Sequence, residues 1–147
     1  MTRYLLAAVV FALIPCPGRG DKTELVRVTG TVILPKGEKL PPKAKVSVKV
    51  MLYRPDGGVT VYSAVGTQEF TPTDPNKPIT FAVPFAKSHL EKYEPGQFLL
   101  RATISAPDGR LSKTIYDTDD RDEIMPVDSN HKPKTNVKLF VSKVQQR

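Results

Sequence analysis

What this chain lacks narrows its chemistry before any pattern is read. Its 147 residues include one cysteine, no tryptophan and two histidines. A lone thiol excludes an internal disulfide and a thiolate metal cluster, so packing must hold the fold. The histidines, His89 and His131, lie far apart in sequence and form no ligand-pair motif. No Gly-x-Ser-x-Gly, His-Glu-x-x-His or glycine-rich phosphate loop occurs, which leaves no local signature of nucleophilic, zinc or nucleotide chemistry. With no tryptophan and five tyrosines, the surface is also short of aromatic platforms for stacking sugars. The expectation is a protein that is not an enzyme and that uses no cofactor and no metal.

Long apolar runs are scarce as well. The one present, Tyr4 to Ile14, follows the positive Arg3 and ends at Pro15, Pro17, Gly18 and Gly20. It falls short of the roughly 20 residues that span a bilayer and has the form of an export signal. Residues 1–20 are therefore read as a signal peptide and residues 21–147 as one domain, exported and then periplasmic, outer-membrane-associated or secreted. Cys16 stands directly after the apolar run, where bacterial lipoproteins carry the acylated cysteine. Two readings stay open, lipidation of Cys16 or its loss with the signal, because Pro15 occupies a position where lipoprotein signals have a small residue. Loss of Arg3 and Arg19 lowers the formal charge from +7 to +5. The lysines are scattered over the chain, a pattern of solvated faces, and no aromatic-and-basic motif points to nucleic acid.

What is present is alternation. Residues 25–34, 44–53, 79–85, 97–106 and 137–141 alternate, with Leu99 the exception, as does 59–70 through Val59, Val61, Ser63 and Val65, the period of a half-buried strand. Residues 111–116 are read as the return arm of a hairpin. Pro55-Asp56-Gly57-Gly58 and Pro107-Asp108-Gly109 supply turns for two hairpins. Pro84 lacks a ladder donor and marks an edge or a strand end. Only residues 87–93, with Ser88 as its cap, suit a helical turn, closed by Pro95-Gly96. The expected fold is all-β, a single-domain antiparallel β-sandwich of about seven strands with at most one short helical turn.

Several of these segments, in order, carry a resemblance. Gly30-Thr31-Val32, Leu40-Pro41-Pro42-x-Ala44-x-Val46-x-Val48, Pro78-Ile79-x-Phe81-x-Val83-Pro84-Phe85, Tyr93, Arg101-Ala102-x-Ile104, Gly109-x-Leu111 and Asn136-Val137 resemble the YbaY-like family of type III secretion lipoprotein chaperones, or pilotin-like proteins. The resemblance covers roughly residues 28–141. It implies a small β-sandwich held by an N-terminal lipid and acting without chemistry, the pilotin-like members assisting an outer-membrane secretin to assemble. It carries over no binding residues.

The sharpest local cluster is acidic. Asp117, Asp119, Asp120, Asp122 and Glu123 could offer hard oxygens to calcium or contact a basic partner. Arg121 and Asp122 stand where an EF-hand loop needs Asp or Asn and then Gly, so a solvated acidic loop is the plainer reading. Unpaired strand edges are a further candidate surface, because an added strand binds through main-chain groups and leaves no motif. The functional expectation is an exported, non-catalytic accessory or chaperone-like protein of the cell envelope, its partner an envelope protein and its membrane contact a lipid on Cys16. The alternative is a soluble exported adhesion or carbohydrate-binding module.

Overall fold

The computed structural model describes residues 23–108, 111–118 and 124–144. Every strand expected from alternation is present. In chain order these are β1 (Leu25–Ile33), β2 (Lys45–Asp56), β3 (Val59–Phe70), β4 (Ile79–Ala86), β5 (Phe98–Asp108), β6 (Leu111–Thr118) and β7 (Val137–Lys143). One helical turn, α1 (Ser88–Lys92), and a 3-10 turn at Pro95–Gln97 join β4 to β5. The first hairpin turns at Gly57 and Gly58, both at positive φ (55° and 86°), as a two-residue connection between twisted strands requires.

The strands form one sheet in the order β3-β2-β5-β6-β7-β1-β4, and it curls until its ends meet. This corrects the expected antiparallel sandwich in two respects. The sheet is mixed, because β1 pairs in parallel with β7 from Gly30↔Val137 to Ile33↔Phe140 while pairing antiparallel with β4 on its other side. The described residues also form no second layer, since the inward faces of a single rolled sheet close on one another as a nearly complete barrel. Bulges at Val50/Met51 and Ile104/Ser105 sharpen the local twist that lets the sheet roll.

Period-two alternation becomes the core in β2, β4 and β5, with Ser47 of β2 the one buried residue out of phase. Val46, Val48, Val50 and Leu52 of β2, Ile79, Phe81, Val83 and Phe85 of β4, and Phe98, Leu100, Ala102 and Ile104 of β5 are all buried. Phe85 and Phe98 meet in the interior with ring centroids 6.1 Å apart. Leu90 of α1 is buried over one mouth of the barrel. We call this end the upper rim. It also carries the start of β1, the end of β4 and the β2–β3 turn, and the opposite end, with the β1–β2 and β3–β4 loops, is the base. At the upper rim the Lys87 ammonium binds the Glu24 carboxylate at 2.9 and 3.0 Å, and the Lys87 N–H donates to the Glu24 carbonyl at 2.8 Å. The Glu24 carboxylate raises the Lys87 pKa through that hydrogen bond and its charge. The N-cap of α1 is Lys87, not the expected Ser88, and no side chain caps it.

Closure takes place between β3 and β4, where the described residues form no strand ladder. On the β4 edge, Thr80 N–H donates to Pro78 O at 3.1 Å, Ala82 N–H donates to Gln68 Oε1 at 2.7 Å, and Pro84 has no N–H to offer. Three successive donor positions are thus satisfied or removed, which protects an edge from foreign strands. Gly66 lets the two strands approach, for a Cβ there would lie 2.5 Å from Pro84 O and 3.0 Å from Phe85 Cβ. Gly66→Ala is expected to push the strands apart, destabilising the fold by about 1–3 kcal/mol. Denaturant unfolding would measure the loss, and faster hydrogen exchange at the Ala82 amide would place it at this seam.

Candidate functional site

Of the acidic cluster, Asp117 is described and is already engaged. Its carboxylate accepts from Arg101 Nε at 3.0 Å and from Arg101 Nη2, and its Oδ1 also accepts the Thr118 N–H at 2.8 Å. Asp119, Asp120, Asp122 and Glu123 lie outside the described residues, as does Cys16. Both histidines lie at α1, each with its own partner. His131 Nδ1 lies 2.8 Å from Leu90 O, and His89 stacks on Tyr93 at 6.1 Å. Among the described residues, no group of three His, Cys, Asp or Glu is placed to hold a metal.

One concavity among the described residues lies at the base. A depression of about 290 Å³ is lined by Leu40, Pro41, Pro42, Lys43, Ala44, Pro72, Thr73 and Pro75. Its first wall is the lead-in to β2, where Ala44 N–H donates to Pro41 O at 3.2 Å and closes a turn. Its second wall follows β3, where Asp74 Oδ1 accepts the Asn76 N–H at 2.9 Å and fixes the loop. Four prolines fall on these two walls. Their rings offer rigid apolar surface and no N–H, so an incoming segment meets a surface with little freedom left to lose.

Lys43 is the strained member of this site, held at φ 59° at the rim of the depression. A non-glycine residue in this region costs of order 1–3 kcal/mol and tends to accompany function. Among the described residues, Lys43, Lys39 and Lys77 of the two base loops carry no ion pair, whereas Lys45 and Lys143 are paired with Glu69 and Glu38. The depression therefore combines rigid proline walls with a lysine on its lining and two more on the loops beside it. Sequence reasoning missed this site, although the proline pairs Pro41-Pro42 and Pro72-x-x-Pro75 were its available signal. Lys43→Gly is expected to leave stability nearly unchanged, because relief of about 1 kcal/mol of strain is offset by the extra freedom of unfolded glycine. Lys43→Val should cost about 1–2 kcal/mol more than Lys43→Gly, a difference that thermal unfolding resolves.

The same loop is pinned to the barrel by a polar cluster. Tyr116 OH donates to Glu38 Oε2 at 2.8 Å, and Lys143 Nζ lies 3.6 Å from Glu38 Oε1. Burial of the phenol, helped by the Glu38 carboxylate, pushes the Tyr116 pKa up to about 12. A phenol that ionises later in the folded state contributes stability that is complete below its unfolded pKa of about 10. That contribution is lost as pH rises through the folded value of about 12. Phenolate absorbance is expected to show one tyrosine titrating last, a step absent in Tyr116→Phe, whose stability should fall less steeply over the same alkaline range.

The described residues thus form a small, nearly closed barrel with a proline-walled depression at one end. Residues 23–139 match the type III secretion system lipoprotein chaperone (YscW) family, and the chain belongs to that family. The family is one of non-catalytic lipoprotein chaperones, and the expectation that the chain is not an enzyme rests on that membership. Among solved structures, an alternative pilotin from the type II secretion system of Vibrio cholerae shares the fold. The TM-score is 0.61 at 18% identity, covering 84% of this chain and all of that one. No curated protein matches the sequence.

Proposed function

We propose that this protein is a lipid-anchored, pilot-type chaperone of the outer membrane. Acylated Cys16 holds it to the bilayer, and the proline-walled depression at its base receives a short extended segment of an envelope partner, a secretin subunit being the fitting class. Membership of the lipoprotein chaperone family over residues 23–139 carries this reading. The layout of the barrel supports it, for the N-terminal lead-in enters at the upper rim while Leu40, Pro42 and Pro75 line the base. A chaperone tethered at one end and open at the other offers its partner site away from the membrane. The partner segment is apolar with an acidic residue or a terminal carboxylate set against Lys43.

Two measurements test the proposal together. The N-terminal peptide of the protein recovered from its native membrane fraction should carry a diacylglycerol on Cys16; a soluble form beginning beyond Cys16 would remove the anchor. A photo-crosslinking residue at Thr73 should capture one envelope partner, and Lys43→Glu should weaken that capture severalfold. Equal capture from a crosslinker at Leu111, at the start of β6, would argue against the depression as the site.

A further inference from the structure

The β2–β3 hairpin extends beyond the barrel at the upper rim. Contacts of Gln68 with Ala82 and of Gly66 with Pro84 set the register across the seam, and with Val65 bulged out of β3 this brings Ser63 level with the last residue of β4, Ala86. From Ser63 back to Val59, β3 continues past β4 for four residues, about 14 Å at the usual rise per residue. This projection is apolar and bare. Val59 and Tyr62 are 66% and 56% exposed, and Tyr62 packs against Tyr53 across the hairpin at 6.1 Å. No charged residue occurs from Gly57 to Gln68, in a chain that is 25% charged. Exposed edges are normally guarded by charge, proline or a bulge, and the lower part of the same seam is guarded. Above the bulge at Val65, β3 carries neither charge nor proline, and Arg54 and Asp56 of β2 are the charges beside it.

The position of the tether says what covers it. Leu25, 59% exposed, begins β1 at the same rim, with only β4 between β1 and β3. At about 4.8 Å per strand, Leu25 and β3 are about 10 Å apart laterally. Nine residue steps separate Cys16 from Leu25, a contour of at most about 30 Å. A bilayer holding a lipid on Cys16 therefore lies within reach of a projection of about 14 Å, whereas the base stands a further strand length away. The geometry points to the β2–β3 hairpin as a second membrane contact, in which Tyr62, Val59 and neighbouring Leu25 rest in the headgroup region of the bilayer. Tyrosine suits that depth, with an apolar ring and a polar tip. The contact fixes the barrel with its base turned outward. This inference rests on the anchored reading proposed above.

Because the chain has no tryptophan, Tyr62→Trp gives a single-site optical probe. The mature chain beginning at Cys16 is coupled through that thiol, its only one, to a maleimide phospholipid in phosphatidylethanolamine–phosphatidylglycerol vesicles, so the result does not depend on native acylation. Indole emission of the Tyr62→Trp protein should shift to the blue on coupling and be quenched by lipids brominated near the headgroup. An indole introduced instead by Leu111→Trp, on the β5–β6 tip at the base, should do neither. Adding Val59→Glu to the Tyr62→Trp protein should abolish the shift. Unchanged emission from the Tyr62→Trp protein on coupled vesicles would overturn the contact, as would equal quenching in the Leu111→Trp protein. Blue-shifted emission from a sedimenting dimer of the Tyr62→Trp protein, before vesicles are added, would overturn it in favour of a second copy. Failure of native Cys16 acylation is read separately from the mass of the processed N-terminal peptide.

Discussion

The hydrogen bond from the Ala82 amide to the Gln68 side chain holds together a structure that has no ladder at that point. A seven-stranded sheet has two edges, and here each edge is placed against the other. The match depends on a glycine where a side chain would strike Pro84, on a glutamine long enough to reach across, and on a proline that removes one donor. With those three residues in register, the inward faces of β2, β4 and β5 enclose a common interior and Phe85 can meet Phe98. Without them the sheet would remain open and its edge donors would be available to other chains.

Closure also gives the molecule two unlike ends. At the upper rim, α1 and its buried Leu90 cover the mouth, and the Glu24–Lys87 pair fastens the start of β1 to the end of β4. At the base, two proline-bearing loops stand beside each other, one of them fastened through Glu38 to Tyr116 and Lys143. Lysines of those loops face solvent without carboxylate partners among the described residues. The family to which the chain belongs acts by binding, and such an asymmetric barrel can keep attachment and recognition apart.

The strands were legible because burial on one face imposes alternation that survives in the sequence, as in Val46, Val48 and Val50. Neighbour relations were not legible in the same way. Alternation says which side chains turn inward but not which strand lies alongside, so the parallel pairing of β1 with β7 and the single rolled sheet were missed in favour of a sandwich. Gly30 was readable as part of a motif, yet its physical reason is contact with the Val137 carbonyl and the Phe81 ring, both remote in sequence. The base depression escaped notice for a similar cause, since its walls come from loops before β2 and after β3. Asp117 looked like a free carboxylate until the fold set Arg101 beside it on the neighbouring strand.

The parallel pairing of the first and last strands has a consequence for how such a protein reaches its compartment. Gly30 finds its partner Val137 only when nearly the whole chain is present, and contacts of such high sequence separation form slowly. A chain emerging from the ribosome therefore holds β1 with one flank empty until the final strand is made. A barrel that cannot close early remains threadable, and an exported chain must be threaded before it folds. The topology that delays closure thereby keeps the polypeptide competent for passage across the membrane.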